Sequence, residues 1–197
     1  MRKAWLPAIA FSSAGAMQAG VNGALAVLAF HDRGIANGAL LFSASAFTTV
    51  VFRYAAGRAV ERFGPRAIAV PTAVVQAIGC LVAAHAMTMP MVIAAGICLG
   101  IGWACIVPVV LGLFFEESVP EERGAAMGAF HFAFGLGAAL GSAVATVSTC
   151  LGHGYGTAMM TCAVVPAVSL ILVLPSRRRR VMAEPKLALS PTASSGD

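Results

Sequence analysis

Three polar side chains lie in apolar sequence, where they could bind a solute or carry a proton. Gln18 and Asn22 are four residues apart in a stretch without charge, Ala4 to Phe30, and on a helix this spacing places both amides on one face. His131 lies in a second such stretch, Gly124 to Ser176, and an imidazole can carry a proton. Because polar groups are costly inside a bilayer, each predicts either hydrogen bonding within a helical bundle or contact with a solute.

The same pattern argues against catalysis. The sequence has no His-Glu-x-x-His and no Gly-x-Ser-x-Gly motif, and its charge-poor stretches contain no Asp or Glu. Three of its histidines, His85, His131 and His153, belong to no cluster of several His and Cys residues, and its five cysteines form no Cys-x-x-Cys pair. We therefore predict no enzymatic activity, no metal site and no cofactor.

The charge-poor stretches themselves predict an all-α integral membrane protein with six transmembrane helices. They are 4–30, 34–52, 67–115 and 124–176. About 20 apolar residues cross a bilayer, so the first two stretches cross once and the last two cross twice. Pro90 and the glycines at 152, 154 and 156 mark the turns inside the long stretches. The predicted spans are about 5–30, 38–57, 67–88, 91–115, 124–150 and 155–175, followed by a disordered tail, 181–197.

The basic residues predict the orientation of these spans. If both termini are cytoplasmic, all but one of the 13 basic residues lie inside, and the exception is Arg33, beside Asp32. The positive-inside rule therefore predicts a multi-pass protein of the cell inner (plasma) membrane with cytoplasmic termini. The run Arg177–Arg180 follows an apolar span, so it is interpreted as an anchor at anionic lipid headgroups and not as a nucleic-acid patch.

Two segments resemble the major facilitator superfamily of transporters. The first follows the second span and is similar to the Gly-x-x-x-Asp-Arg-x-Gly-Arg signature loop, with Glu in place of Asp and Pro65 in place of a frequent Arg or Lys; its residues here are Arg53, Gly57, Glu61, Arg62, Gly64 and Arg66. The second is similar to the Pro-x-x-x-Arg-Gly-x-Ala-x-Gly junction that opens the fifth helix, with one residue fewer between Pro and Arg; its residues here are Pro120, Arg123, Gly124 and Gly128. The signature residues are expected to form a conformational gating loop in which Gly57 lets a neighbouring helix approach closely.

Glycine pairs four residues apart are expected to pack helices together. They are Gly124 with Gly128, Gly137 with Gly141, and Gly96 with Gly100.

The resemblance implies a function and a partner. It is strongest to the C-terminal six-helix half of bacterial efflux-type members, which move a small solute by alternating access between two such halves. Helices one and four line the cavity in that family, and helices two and five flank it, which implies substrate contact for Gln18, Asn22, Trp103 and His131. A second six-helix half or a second copy of this chain would complete the cavity. The alternative is a truncated or non-transporting membrane protein derived from such a transporter.

Overall fold

The computed structural model describes residues 5–116 and 118–173. Within those ranges the chain is all-helical, with six α-helices and a 3₁₀ turn at Pro120–Glu122. The helices are α1 (Leu6–Asp32), α2 (Leu40–Phe63), α3 (Pro65–Ala84), α4 (Met89–Glu116), α5 (Arg123–Cys150) and α6 (Tyr155–Val173). The predicted disordered tail and the arginines at 177–180 lie outside the described residues. The predicted all-α fold is confirmed.

Five of these helices, α1 to α5, are long and apolar enough to cross a membrane. Helical structure suits such segments because every backbone N–H and C=O inside it is hydrogen-bonded within the segment. In α6 the apolar part established by the structure is shorter, Tyr155–Val165. The sixth crossing therefore stays a prediction from the sequence.

The turn between α2 and α3 corrects the predicted gating loop. The predicted second span ended at residue 57, but α2 continues to Phe63 and α3 begins at Pro65. Only Gly64 separates them, with φ of 84°, and its N–H donates to the Val60 carbonyl over 2.8 Å. A glycine adopts this left-handed backbone without strain, and proline fits the first helical position after it. Most of the segment predicted as a loop is therefore helix.

The helices pack in a definite order around the bundle. The most extensive packing joins α1 to α5 and α2 to α4, while α3 packs against α4 and α6, and α6 also packs against α1. This arrangement leaves α2 and α5 at the two margins. In the most apolar 18 residues of each helix, 17% of α2 and 28% of α5 is buried, against 50% of α1 and of α4. One side of the bundle, between α2 and α5, is therefore poorly covered.

Glycines bring the backbones together at both major crossings. A methyl group at Gly96 would lie 2.6 Å from the Leu41 carbonyl oxygen, and one at Gly100 would lie 2.5 Å from that of Ser45, which is closer than real side chains pack. At the crossing of α1 and α5, a methyl group at Gly141 would collide with the Met17 carbonyl oxygen. Gly137 lies in the same way on Ser13, and Gly20 on Ala138. These glycines are the small residues that let membrane helices touch.

The predicted pair Gly124 and Gly128 behaves differently. A methyl group at either position would meet no atom within 4 Å, and the same holds for Gly57 on α2. These three glycines therefore pack no helix of this bundle, because α2 and α5 expose the faces on which they lie, and their role in packing stays a prediction.

Replacing Gly141 by alanine should destabilise the bundle by about 1–3 kcal/mol, because the new methyl group overlaps the α1 backbone at Met17. Gly135 is the matched control, since it lies on the same helix with nothing within 4 Å of its methyl position. Gly135→Ala should be neutral or more stable by up to about 1 kcal/mol through helix propensity. Unfolding of the purified protein in mixed micelles measures both, and equal stabilities for the two variants would contradict the close crossing.

Candidate functional site

A cleft opens on the poorly covered side of the bundle. It has a volume of about 700 Å³ and lies between α2, α4 and α5. We call it the central cleft. Its walls are mostly apolar, and the polar or aromatic side chains among them are those of Thr49, Arg53, Trp103, Phe130, His131 and Phe134. Two residues predicted to contact substrate, Trp103 and His131, therefore meet in one cavity although they lie on different helices.

Aromatic rings form one wall of the central cleft. The Trp103 and Phe134 rings have their centroids 5.3 Å apart and join α4 to α5. Phe130 lies 6.1 Å from Phe134 and 5.0 Å from the ring of His131, with the last pair edge to face. Such offset and edge-to-face geometries are the favoured ones for aromatic pairs. The histidine ring is exposed, so its N–H group is available to a molecule in the cleft.

Arg53 lies inside this cleft and not in a loop. Ten residues of α2 follow it, which corresponds to about 15 Å of helix. Its Nη1 donates to the main-chain carbonyl of Trp103 over 3.4 Å, and Trp103 is midway along α4. The sequence predicts its location only in part: Arg53 is the first charge after a long uncharged stretch, and ten residues separate it from Gly64.

Thr49 is committed to the helix crossing. Its hydroxyl contacts the Ser45 carbonyl over 2.7 Å and the Gly100 carbonyl over 3.1 Å. A hydroxyl has one proton, so both contacts draw on the same donor. Thr49 therefore joins α2 to α4 and has no hydrogen left to donate to a solute.

Gln18 and Asn22 lie in a separate and smaller space. Together with Trp103 they line a recess of about 120 Å³ between α1, α2 and α4, which we call the inner recess. Their side chains are only 2% and 6% exposed. The Asn22 amide donates to Gln18 over 3.1 Å. The expectation that both residues lie on an open cavity wall therefore does not describe this bundle, because the neighbouring helices bury them.

Tyr155, which the sequence did not single out, completes this polar group. Its hydroxyl donates to the Asn22 side-chain oxygen over 2.7 Å, linking α6 to α1. The tyrosine ring packs edge to face on Phe30, with centroids 5.3 Å apart. Arg33 lies 5.8 Å from the same ring and donates to the Ala86 carbonyl over 2.9 Å. The predicted outer loops therefore meet at one end of the bundle.

The charged residues of the predicted gating segment line the far end of α2 and the start of α3. Arg66 pairs with Glu116 at the end of α4 over 3.2 Å. Arg62 lies over the Phe63 ring. Glu61 is exposed, and within residues 5–116 and 118–173 it has no hydrogen bond or ion pair. In this segment it is therefore Arg66 that ties the start of α3 to the end of α4.

The predicted helix junction has its expected position before α5. Pro120 begins the 3₁₀ turn, and Arg123 is the first residue of α5. The Arg123 guanidinium lies 5.7 Å from the Phe115 ring at the end of α4. Among the described residues, no group of three His, Cys, Asp or Glu side chains lies close enough to hold a metal ion.

The family model for the Major Facilitator Superfamily matches residues 8–194. The chain belongs to the major facilitator superfamily. No curated protein is similar enough to this chain to count as a relative.

Membership in the major facilitator superfamily confirms the coarser part of the sequence interpretation. The chain is a multi-pass membrane protein from a family of transporters and not of enzymes. A lipid bilayer surrounds its helices, and family membership points to a small solute as the substrate. In such a protein the central cleft and the inner recess are the cavities to consider first.

Tyr155→Phe should destabilise the protein by about 1 kcal/mol, since it removes the hydrogen bond that holds the buried Asn22 side chain. Tyr54→Phe is the matched control, because the chain's other tyrosine is exposed and its hydroxyl contacts Arg58 at the surface. Unfolding of both variants in the same micelles tests this. A larger loss for Tyr54→Phe than for Tyr155→Phe would contradict the assignment.

Proposed function

We propose that this chain forms one wall of a solute pathway and moves a small solute by alternating access. The observation that carries the proposal is the central cleft. Its volume, about 700 Å³, falls within the usual range for small-molecule sites. Arg53 and His131 supply polar groups to a cleft whose walls are otherwise mostly apolar, and such residues in a bilayer are a mark of a substrate pathway.

We further propose that a second six-helix bundle covers the cleft, either an unlike half or a second copy of this chain. Large apolar side chains stand exposed beside the cleft, with Phe47 72% and Val50 77% exposed on α2 and Phe132 58% exposed on α5. The open glycines Gly57, Gly124 and Gly128 would let a second bundle approach closely. In this assembly the chain corresponds to the C-terminal half of an efflux-type transporter, as its signature residues suggest.

The proposed orientation has both termini in the cytoplasm of a cell with this chain in its inner membrane. Arg33, the single basic residue assigned to the outer side, contacts Ala86 and Tyr155. These contacts group the turns after α1, α3 and α5 at one end of the bundle, which is what alternating crossings require. The Arg66–Glu116 pair lies at the opposite end, where the positive-inside rule places the cytoplasm.

Reporter fusions test the orientation. Fusions after Arg33, Met89 and His153 should report an outer location, and those after Arg66, Glu122 and Arg180 an inner one. The reason is the distribution of basic residues over alternate turns. A cytoplasmic signal at Met89 would overturn the six-span arrangement.

Thiol labelling tests whether the central cleft is a solute pathway. In a background without the five native cysteines, Val50→Cys should react with a membrane-impermeant, charged thiol reagent because Val50 lines the cleft. Val74→Cys is the matched control: Val74 is 50% exposed but lies on α3, away from the cleft. In proteoliposomes the reagent should slow solute entry through Val50→Cys and leave Val74→Cys unchanged.

Four solutes serve as the probes for entry: a sugar, an amino acid, an organic anion and an organic cation. Movement of any one of them, inhibited at position 50, supports transport. If none of the four entered and position 50 were inert, the proposed function would be wrong and the non-transporting alternative would stand.

A further inference from the structure

We propose that the central cleft selects an organic anion with a planar apolar body, held by Arg53 against the aromatic wall. This inference rests on the proposed function, because it names the class of solute that the pathway accepts. Four observations carry it: the position of Arg53, its incomplete hydrogen bonding, the absence of acid around it, and the rings beside it.

The position of Arg53 separates it from the other arginines of α2. Arg58 and Arg62 lie in the last two turns, where they stack on Tyr54 and Phe63. Those contacts are what a topological anchor at the membrane surface requires. Arg53 lies further inside, and its guanidinium turns towards Trp103, halfway along α4, and not towards the helix end. A cation at that depth is costly unless something compensates for it.

The protein compensates for this charge only in part. A guanidinium has five N–H donors. One donor of Arg53 makes a long hydrogen bond of 3.4 Å to the Trp103 carbonyl. Within residues 5–116 and 118–173, no Asp or Glu lines the central cleft. The nearest acid along α2 is Glu61, two turns away at the exposed end of the helix. The remaining donors of this cleft-lining side chain have no partner among the described residues and suit an anionic group, which can accept two parallel hydrogen bonds from one guanidinium.

His131 reinforces this preference from the opposite wall. It is the other titratable residue lining the cleft, it is exposed, and its ring can donate an N–H to a bound anion. Neutral or charged, an imidazole adds no negative charge. The titratable groups facing the cavity from α2 and α5 therefore disfavour a cation, and the part of α4 that lines it contributes none.

The rest of the cavity defines the body of the solute. Trp103, Phe130 and Phe134 form a continuous set of rings next to the charged group. Aliphatic side chains, including those of Val50, Val107 and Leu111, line the remainder. A flat apolar body stacks favourably on such a wall, while a sugar would leave its hydroxyls without partners. The cleft therefore fits an amphipathic anion better than a polyol.

Fluorescence of Trp103 tests the inference directly. The chain has two tryptophans, Trp5 and Trp103. Trp5 is buried against Phe114 and its indole N–H has no partner among the described residues, so Trp5→Phe leaves Trp103 as the single reporter. The full-length protein in this background is titrated with three probes of one shape: benzenesulfonate, neutral benzenesulfonamide and phenyltrimethylammonium.

Benzenesulfonate should bind saturably and at least about tenfold more tightly than the other two probes. Arg53→Gln should weaken its binding by about tenfold or more, as expected for losing charge-assisted hydrogen bonds. The affinity of Arg53→Lys for benzenesulfonate should lie between those of the parent and Arg53→Gln, because lysine keeps the positive charge but cannot donate two parallel hydrogen bonds. Arg58→Gln is the matched control and should bind as the parent does, since Arg58 points away from the cleft.

Three results would overturn the inference. They are equal or tighter binding of the neutral or cationic probe, no effect of Arg53→Gln in a folded protein, and no saturable binding of benzenesulfonate. If Arg53→Gln did not fold, the affinities of the three probes for the parent protein and for Arg53→Lys would still test the anion preference. Proteoliposome entry separates this inference from the proposed function: entry of a sugar or a cation in preference to benzenesulfonate contradicts only the anion preference, whereas entry of no solute contradicts transport itself.

Discussion

Direct backbone contact at two helix crossings is the constraint on which the rest of this bundle depends. At Gly96 and Gly100 the α4 backbone rests on α2, and at Gly137 and Gly141 the α5 backbone rests on α1. Between membrane helices there is little hydrophobic driving force, so close packing and interhelical hydrogen bonds stabilise association. The bonds from Thr49 to Gly100 and from Ser13 to Ala133 reinforce the same two crossings. With α2 held to α4 and α5 held to α1, the space between the pairs becomes the central cleft.

Polar side chains divide into two groups according to this packing. Gln18, Asn22 and Tyr155 satisfy one another in the interior, where an unpaired amide would be expensive. Gln76 is also fully buried, and its amide N–H donates to the Gly15 carbonyl of α1, while its side-chain oxygen has no partner among the described residues. Arg53 and His131 are different, because they lie on the side that the bundle leaves open. Stability accounts for the first group, and the proposed solute pathway accounts for the second.

The fold was predictable from the sequence because lipid restricts it so strongly. Long uncharged stretches must be helices, and Gly152 and Pro90 marked turns that the structure places just before α6 and at the start of α4. The family was predictable from two short motifs. The end of α2 was not predictable in the same way. The appearance of charged residues marks where a helix leaves the lipid, but a run such as Arg58 to Phe63 remains helical beyond that point.

The site was predictable only in part, for a geometric reason. Spacing along one helix correctly placed Gln18 beside Asn22, since residues i and i+4 always share a face. Whether that face is open or covered depends on helices far away in sequence. The burial of both residues and the hydrogen bond from Tyr155 to Asn22 therefore could not be predicted from the sequence of α1 alone. The same holds for the glycines. Gly124 and Gly137 carry the same four-residue spacing, but only the second lies against a neighbour.

The single-residue connection at Gly64 has a mechanical consequence. Because only Gly64 separates α2 from α3, a tilt of α2 also moves the start of α3. The Arg66–Glu116 pair joins the start of α3 to the end of α4. The ends of α2 and α4 and the start of α3 are therefore expected to move together as one rigid unit. Within this unit the helices bend most easily where a backbone N–H is missing, at Pro71 in α3 and Pro108 in α4. A change in the width of the cleft would then move α2, α3 and α4 together relative to α5, with Pro71 and Pro108 as the points where these helices bend most readily.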